Sequence, residues 1–384
     1  MDRANIVIIG GGVVGCAIAM ELAARWPDVF LLERMPHLGM ASSTRNSGVL
    51  HSGIYYTPGS LKAKLCVEGN HLAYEFCQAY GVPHRATGKM VVAAEPGEEH
   101  ILEELAARGR DNGVTGMKLL DQTGIRQREP HIRGFAALWL SSTGIVSAEE
   151  LVKTYARLAR DRGAHIVTNS LVTALEPAGD CIRVTAEIGA EDGRPGVQEA
   201  IEARCVINCA GLYADEVAAM LGFSQYRIYP VRGEYCELIR SRSDLVRGLV
   251  YPLPHPEGMS LGVHLTKTLW DTVLVGPTAR YVQEKDDYEK DRLPVQEFAR
   301  MAQALLPELR VEDLRLAYSG LRAKLVPPRG LSGTEPGGGP ADFVIARDPR
   351  VHAAIHLIGI ESPGLTSALA IARYVAPMAA EALG

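Results

Sequence analysis

The stretch from Asn5 to Arg34, NIVIIGGGVVGCAIAMELAARWPDVFLLER, reads as an apolar strand, a tight glycine turn, a helix and a second strand. That is the order of a parallel βαβ unit. Gly10, Gly12 and Gly15 stand at the spacing G-x-G-x-x-G. The first glycine allows the turn, the second lets backbone approach a pyrophosphate, and the third packs helix against strand. The phosphates then face free amides at the helix start. Glu33 ends the second strand, where a carboxylate accepts hydrogen bonds from an adenosine ribose. A glycine turn alone is shared by many folds, but with strand, helix and acid in order it predicts dinucleotide binding.

A nicotinamide enzyme continues such units into a six-stranded sheet. Here the pattern breaks after two strands into a polar loop, SSTRNSGVLHSGIYY from Ser42 to Tyr56. FAD suits that break better, because an extended polar loop can run beside its pyrophosphate and ring. Ser42, Ser43, Arg45 and Asn46 supply donors for this; the bland alternative is a solvated surface loop. A helix follows over Leu61 to Gly81, with apolar positions at helical spacing and a glycine stop. From Val82 to about Gly144 the pattern becomes a short apolar strand, KMVVAA, a charged helix around Glu98 to Arg110, and the alternating segment EPHIRGFAALWLSS. Ser147 and Glu150 form a capping box, with hydroxyl and carboxylate both meeting free amides at the start of a long helix.

Strand-like segments then lead to CVINCAG and a helix, YADEVAAMLG. A second sheet is expected over Tyr226 to Val282, including the hairpin GVHLTKTLWDTVLVGP. The glycine and proline cluster from Leu325 to Phe343 reads as a surface loop. The chain closes on a strand, a glycine turn and a helix, AIHLIGIESPGLTSALAIARYVAPMAAEAL.

A net charge of -5 argues against a nucleic-acid partner. The seven cysteines never stand as C-x-x-C, so neither a disulfide framework nor a metal site is expected. A reducing, cytoplasmic setting follows, and with no spanning run of apolar residues any contact at the inner membrane would be peripheral.

The segment SSTRNSGVLHSGIYYTPGSLKAKLCVEGNHLAYEFC closely resembles the corresponding stretch of L-2-hydroxyglutarate dehydrogenases and oxidases, within the wider D-amino-acid oxidase-like group of FAD enzymes. TGKMVVA, STGIVS, CAGLYAD, PVRGEY, YPLP, LGVHLT, SGLRAK and IGIESPGLTSALAIA are similar to family segments in family order. The resemblance implies a noncovalent FAD, since no cysteine lies in the C-terminal turn, and oxidation of a small L-2-hydroxy acid. L-2-hydroxyglutarate, giving 2-oxoglutarate, is the first substrate expected. By position it places Gly10, Gly12, Val13, Val14, Gly15, Glu33, Arg34, Ser42, Ser43, Arg45, Asn46 and Ser47 at the cofactor. Val172, Ala210, Gly211 and Arg322 join them, with Gly359, Glu361, Gly364, Leu365 and Thr366 from the C-terminal turn. The glycine-rich insertion after LRAKLVPP is a departure that the resemblance does not explain.

The combined reading is α/β, a Rossmann-like FAD-binding domain with a second substrate domain on a mostly antiparallel sheet. The first would comprise residues 1–81, 145–222 and 318–384, and the second residues 82–144 and 223–317. Oxidising an alcohol beside a carboxylate needs a base for the hydroxyl proton and cations for the acid. His264 and His51 are both candidates for the base, His264 first because the substrate layer should cover the ring's open face. Arg322, with Lys324, is the expected carboxylate clamp, and Arg232, Tyr56 and Tyr251 are further substrate-binding candidates. The electron acceptor, oxygen or a quinone, is left open. An amino-acid oxidase of the same fold and a non-catalytic dinucleotide-binding protein are the rival readings.

Overall fold

The computed structural model describes residues 2–190, 194–254, 261–328 and 341–384. Most of the glycine and proline cluster between Leu325 and Phe343 lies outside the described residues.

The opening strand, Asp2–Ile9, lies inside the first sheet between two parallel neighbours. Ile6 stands opposite Val29 of Val29–Leu32 on one side and opposite Cys205 of Val197–Asn208 on the other. Parallel pairing continues outward to His165–Val167 and to Ala354–Ile358. Parallel neighbours need crossover connections, so strands from both ends of the chain lie side by side here, with the rest of the protein carried between them. Alternation along Asp2–Ile9 divides the core. Ile6 and Ile8 pack with Cys16, Leu151, Tyr155 and Ile371 from the helices Val13–Ala23, Ala148–Asp161 and Gly364–Leu383. Val7 and Ile9 pack on the other side with Val172, Leu175, Ile182 and Val184 of the antiparallel pair Ser170–Ala178 and Cys181–Ile188. Burial on both faces is why the strand is unbroken in its apolar run from Ile6 to Ile9.

The helix Leu61–Tyr80 starts on Ser60, whose Oγ accepts from the Ala63 amide at 3.1 Å, and ends on Gly81 at φ 68°, a left-handed stop suited to glycine. Only half of the expected capping box forms at Ser147. Its Oγ accepts from the Glu150 amide at 3.3 Å, but its own amide donates to the Pro83 carbonyl, and the Glu150 carboxylate pairs with Lys153.

Among the described residues the second sheet has nine strands. Its pairings are antiparallel except one, which joins Lys89–Ala93 to Leu249–Pro252. Leu314–Lys324 runs whole in this sheet, paired with Tyr229–Leu238 from Leu314 opposite Leu238 to Lys324 opposite Tyr229. Residues 318–324, grouped with the first domain on sequence, therefore hydrogen-bond into the second sheet. A small sheet of Val49–Leu50, His84–Arg85 and Gly144–Val146 lies beside both. The seven cysteines are free thiols, and among the described residues no helix is long and apolar enough to cross a membrane.

Candidate active site

The glycine turn is tight. Gly10 has φ 108°, and a Cβ there would meet the Cys209 carbonyl at 2.4 Å, while a Cβ on Gly15 would sit 1.9 Å from the Gly10 carbonyl. Only glycine lets strand, turn and helix approach this closely. The polar loop after the second strand is folded by its own side chains. Asn46 Nδ2 donates to the carbonyls of Ser42 and Ser43, and its Oδ1 accepts from the Gly48 amide. Ser43 Oγ accepts from the Val13 amide at 2.8 Å, which ties the loop to the helix start.

The same loop is laced to the second sheet. Ser42 Oγ donates to the Leu321 carbonyl at 2.7 Å, and Tyr318 donates from its hydroxyl to the Asn46 carbonyl at 2.7 Å. At Gly320 a Cβ would lie 1.9 Å from the Arg45 carbonyl, so loop and strand touch backbone to backbone.

A cavity of about 620 Å³ opens between the two sheets at this seam. It is lined by Gly12, Val13, Val14 and Gly15 from the N-terminal turn, and by Ser42, Ser43, Arg45, Asn46 and Ser47 from the loop. Gly211, Glu361, Gly364 and Leu365 reach it from later in the chain, and His51, Tyr56, Tyr251, His264, Arg322 and Lys324 are the other predicted residues in its lining. A shallower groove of about 500 Å³, between Pro177 and Cys181 on one side and Arg350 and Ala353 on the other, contains none of the predicted residues.

His264 is buried, and its Nδ1 lies 2.9 Å from the Gly262 carbonyl. A carbonyl only accepts, so Nδ1 carries the hydrogen and Nε2 keeps its lone pair. Tyr251 stacks on this ring with centroids 3.7 Å apart. Burial, with Lys89 and Arg322 nearby, pushes the His264 pKa down to about 3. His51 is lowered too, by burial first and then by Lys89, His264 and Arg322. Its Nε2 is 3.3 Å from Ser362 Oγ and its amide donates to Thr366 Oγ1 at 3.0 Å.

The cations around the cavity differ in what they touch. Among the described residues Arg322 has no ion-pair partner and its half-buried side chain faces the cavity. Lys324 pairs with Glu361 at 3.1 Å, and Lys62, absent from the sequence reading, pairs with the same carboxylate at 2.9 Å. Burial pushes the Glu361 carboxyl up, and the two ammonium groups more than offset it, leaving it below its ordinary 4.5. Two lysines against one glutamate leave one surplus positive charge at this wall.

Arg232 does not reach the cavity. It is fully buried, with Nε 3.1 Å from Glu234 and Nη1 2.7 Å from Asp287, and it donates to the carbonyls of Lys290 and Asp291. Its fork is fully used, which removes it as a substrate anchor and corrects that expectation.

The remaining predicted cofactor residues stand behind the lining rather than in it. Gly10 shapes the turn, and Gly359, at φ 73°, shapes the C-terminal one, where a Cβ would strike Leu325. Glu33 directs one carboxylate oxygen to the Gly11 amide at 2.6 Å and the other to the Met35 amide at 2.8 Å. Arg34 lies over the Tyr213 ring at 3.8 Å. Val172 and Ala210 pack in the antiparallel side of the core, and Thr366 holds the His51 backbone.

Sequence reading missed Lys89 as well as Lys62. Lys89 is fully buried, its Nζ has no hydrogen-bond partner among the described residues, and it lies 4.6 Å from the Tyr55 ring centre and 4.5 Å from that of Tyr251. The charged helix expected around Glu98 to Arg110 forms as Glu99–Asp111, and what was missed is its part in the site, where it brings Ile101, Glu104, Leu105 and Arg108 to the cavity wall.

Residues 5–378 match the DAO family, described as FAD dependent oxidoreductase. The chain belongs to this family of FAD-dependent oxidoreductases. The mitochondrial L-2-hydroxyglutarate dehydrogenase of Caenorhabditis elegans is 34% identical to this oxidoreductase, over 98% of this chain and 93% of that protein. The Escherichia coli K12 L-2-hydroxyglutarate dehydrogenase is 32% identical over 97% and 92%, and the human mitochondrial one 32% over 97% and 88%. Among solved structures, the FAD-bound L-alpha-glycerophosphate oxidase of Mycoplasma pneumoniae superposes with a TM-score of 0.85 at 26% identity, covering 100% of this chain and 95% of that one. Glycine oxidase from Geobacillus kaustophilus, at 20% identity and a TM-score of 0.80 over 99% and 95%, shares the fold.

The residues of this oxidoreductase fit FAD. A Cβ on Gly12 would stand 2.9 Å from Ser43 Oγ, so the turn is clear only as glycine, and amides and hydroxyls converge there as a pyrophosphate requires. The start of the helix Gly364–Leu383 and the surplus charge of Lys62 and Lys324 face the same cavity. Both favour negative charge at its far end.

Proposed function

We propose that this oxidoreductase oxidises a small L-2-hydroxy acid, L-2-hydroxyglutarate in the first instance, to the 2-oxo acid. The observation that carries the reading is one cavity lined by glycine turns from both ends of the chain together with His264, His51 and Arg322, the last without an ion-pair partner among the described residues. The kinship in sequence with L-2-hydroxyglutarate dehydrogenases supports the substrate class. The backbone of Gly12, Val13, Val14 and Gly15 and the side chains of Ser42, Ser43 and Asn46 would hold FAD, without a covalent bond. Bound FAD supplies the acceptor for the hydride at C2.

The protein's own groups do the rest. Arg322 presents a planar fork to one carboxylate. The surplus charge shared by Lys62, Glu361 and Lys324 receives the second, and a dicarboxylate is thereby favoured over a monoacid. His264 takes the hydroxyl proton on Nε2, the nitrogen that the Gly262 contact leaves unprotonated. Tyr251 fixes the plane of that ring by stacking, and this is the role we assign it in place of a hydroxyl donor.

The decisive measurement is anaerobic bleaching of the flavin spectrum by L-2-hydroxyglutarate, its D enantiomer, lactate, glycine and proline. Bleaching by an amino acid and not by a hydroxy acid would replace this reading with amine oxidation. His264→Gln is expected to slow flavin reduction by about 10²- to 10⁴-fold with FAD still bound, as loss of a general base does. A loss in His51→Gln alone would move the base to His51, and full rates in both would remove it.

A further inference from the structure

Most buried lysines are paired, because an ammonium removed from water without a partner is strongly disfavoured. Lys89 is an exception placed against the site. Its Nζ is fully enclosed, makes no hydrogen bond among the described residues, and is sandwiched between the faces of Tyr55 and Tyr251. Two cation–π contacts are weak compensation for such burial. The residue begins the strand Lys89–Ala93, otherwise buried and apolar, where Met would fill the space without the penalty.

The surroundings indicate what the charge acts on. Tyr251, on the neighbouring strand, carries Lys89 on one face and stacks on His264, so ammonium, phenol ring and imidazole form one pile. The titratable groups facing Lys89 are Tyr55 from the polar loop, Cys66 from the helix Leu61–Tyr80, Tyr251, and beyond them His51 and His264. Arg322 is the other cation acting on both imidazoles. Among the described residues no carboxylate pairs with Lys89.

We propose that Lys89 is a positioning residue of the reaction: through the Tyr251 ring that lies between them it braces His264, and it sets a positive charge behind the imidazoles that face the cavity. This rests on reading those histidines as proton acceptors. Burial lowers the Lys89 pKa, to about 7, so the group changes charge near neutral pH. Perturbed groups of this kind concentrate at functional sites.

The test uses the FAD-loaded enzyme with ¹⁵N-labelled histidine, the His264 and His51 signals being assigned through H264Q and H51Q. In Lys89→Met both imidazole pKa values should rise by roughly one to two pH units. The acid limb of flavin reduction should move up with them. Lys89→Arg, which keeps the charge, should return both towards wild type. The Tm of Lys89→Met should equal or exceed that of wild type below pH 7, because an unpaired buried ammonium is gone. The linkage has a definite sign: the folded value of about 7 lies below the ordinary 10.5, so wild type binds fewer protons folded than unfolded in between and gains stability as pH rises from 7 to 10.5. Unchanged imidazole titrations with a lowered Tm would overturn the proposal and make Lys89 a packing residue. If no 2-hydroxy acid bleaches wild type, the functional reading fails separately, while the imidazole titration still decides whether Lys89 sets these pKa values.

Discussion

Arg232 and Arg322 stand on neighbouring antiparallel strands of the second sheet, in register such that Arg232 lies opposite Leu321 and Arg322 opposite Val231. Residues directly opposite share a face and successive residues alternate, so the two guanidiniums leave the sheet on opposite sides. On one side the carboxylates of Glu234 and Asp287 and the backbone carbonyls of Asp287, Lys290 and Asp291 take up the fork of Arg232. On the other Arg322 meets the cavity, the histidines and no carboxylate among the described residues. The same side chain is thus a closed internal brace in one place and, one residue over, a guanidinium facing the cavity with no ion-pair partner among the described residues. What separates the roles is whether acceptors within the protein already use the charge.

Arg232→Met removes the guanidinium that lies 3.1 Å from the fully buried Glu234 and 2.7 Å from the partly buried Asp287, and removing one partner of a buried pair costs about 3–5 kcal/mol. A steep fall in Tm, measured by calorimetry on the FAD-loaded protein, is expected, with kcat/KM of the surviving folded fraction near wild type. A normal Tm with impaired substrate binding would exchange the two assignments. Arg322→Met should behave in the opposite way, keeping Tm while kcat/KM falls about 10- to 100-fold, the worth of one charged hydrogen-bonding anchor. Arg322→Lys should recover part of that loss, since a point charge replaces the fork without its paired geometry.

The first sheet was legible because its signals are local. Gly10, Gly12 and Gly15 act within one turn, and the period of the helix after them is read from consecutive residues. Arg232 and Arg322 were not separable in the same way, since each sits in an apolar-flanked strand and the distinction lies in Asp287 and Glu234, set by tertiary pairing. Lys62 did leave a trace. Along its helix Lys62, Cys66, Gly69, Ala73 and Phe76 are buried at helical spacing, whereas Lys64 falls on the exposed side, so its phase placed Lys62 inward. Lys89 gave only a lysine heading a strand buried at every position, where alternation carries no information. The division at 318 cuts through the strand Leu314–Lys324, which stays paired in the second sheet to Lys324, and the prolines that mark its end, Pro327 and Pro328, stand beyond it.

Between the closed Arg232 and the open Arg322 stands the cluster of Lys62, Glu361 and Lys324, paired internally yet carrying surplus charge to the cavity wall. Its effect is smaller and visible only in acid. Burial raises the Glu361 carboxyl, the two lysines outweigh burial, and the folded value ends below 4.5. A depressed carboxyl contributes stability that is complete above its unfolded value and is lost as pH falls through the folded one. Wild type should therefore exceed Glu361→Gln in Tm by a constant margin above pH 4.5, and the margin should shrink below it. In Lys62→Met one offsetting ammonium is gone, so the same acid loss should begin at higher pH. An unchanged acid limb in Lys62→Met would mean that Lys324 alone holds the carboxylate, and that the wall carries no surplus charge for an incoming dicarboxylate.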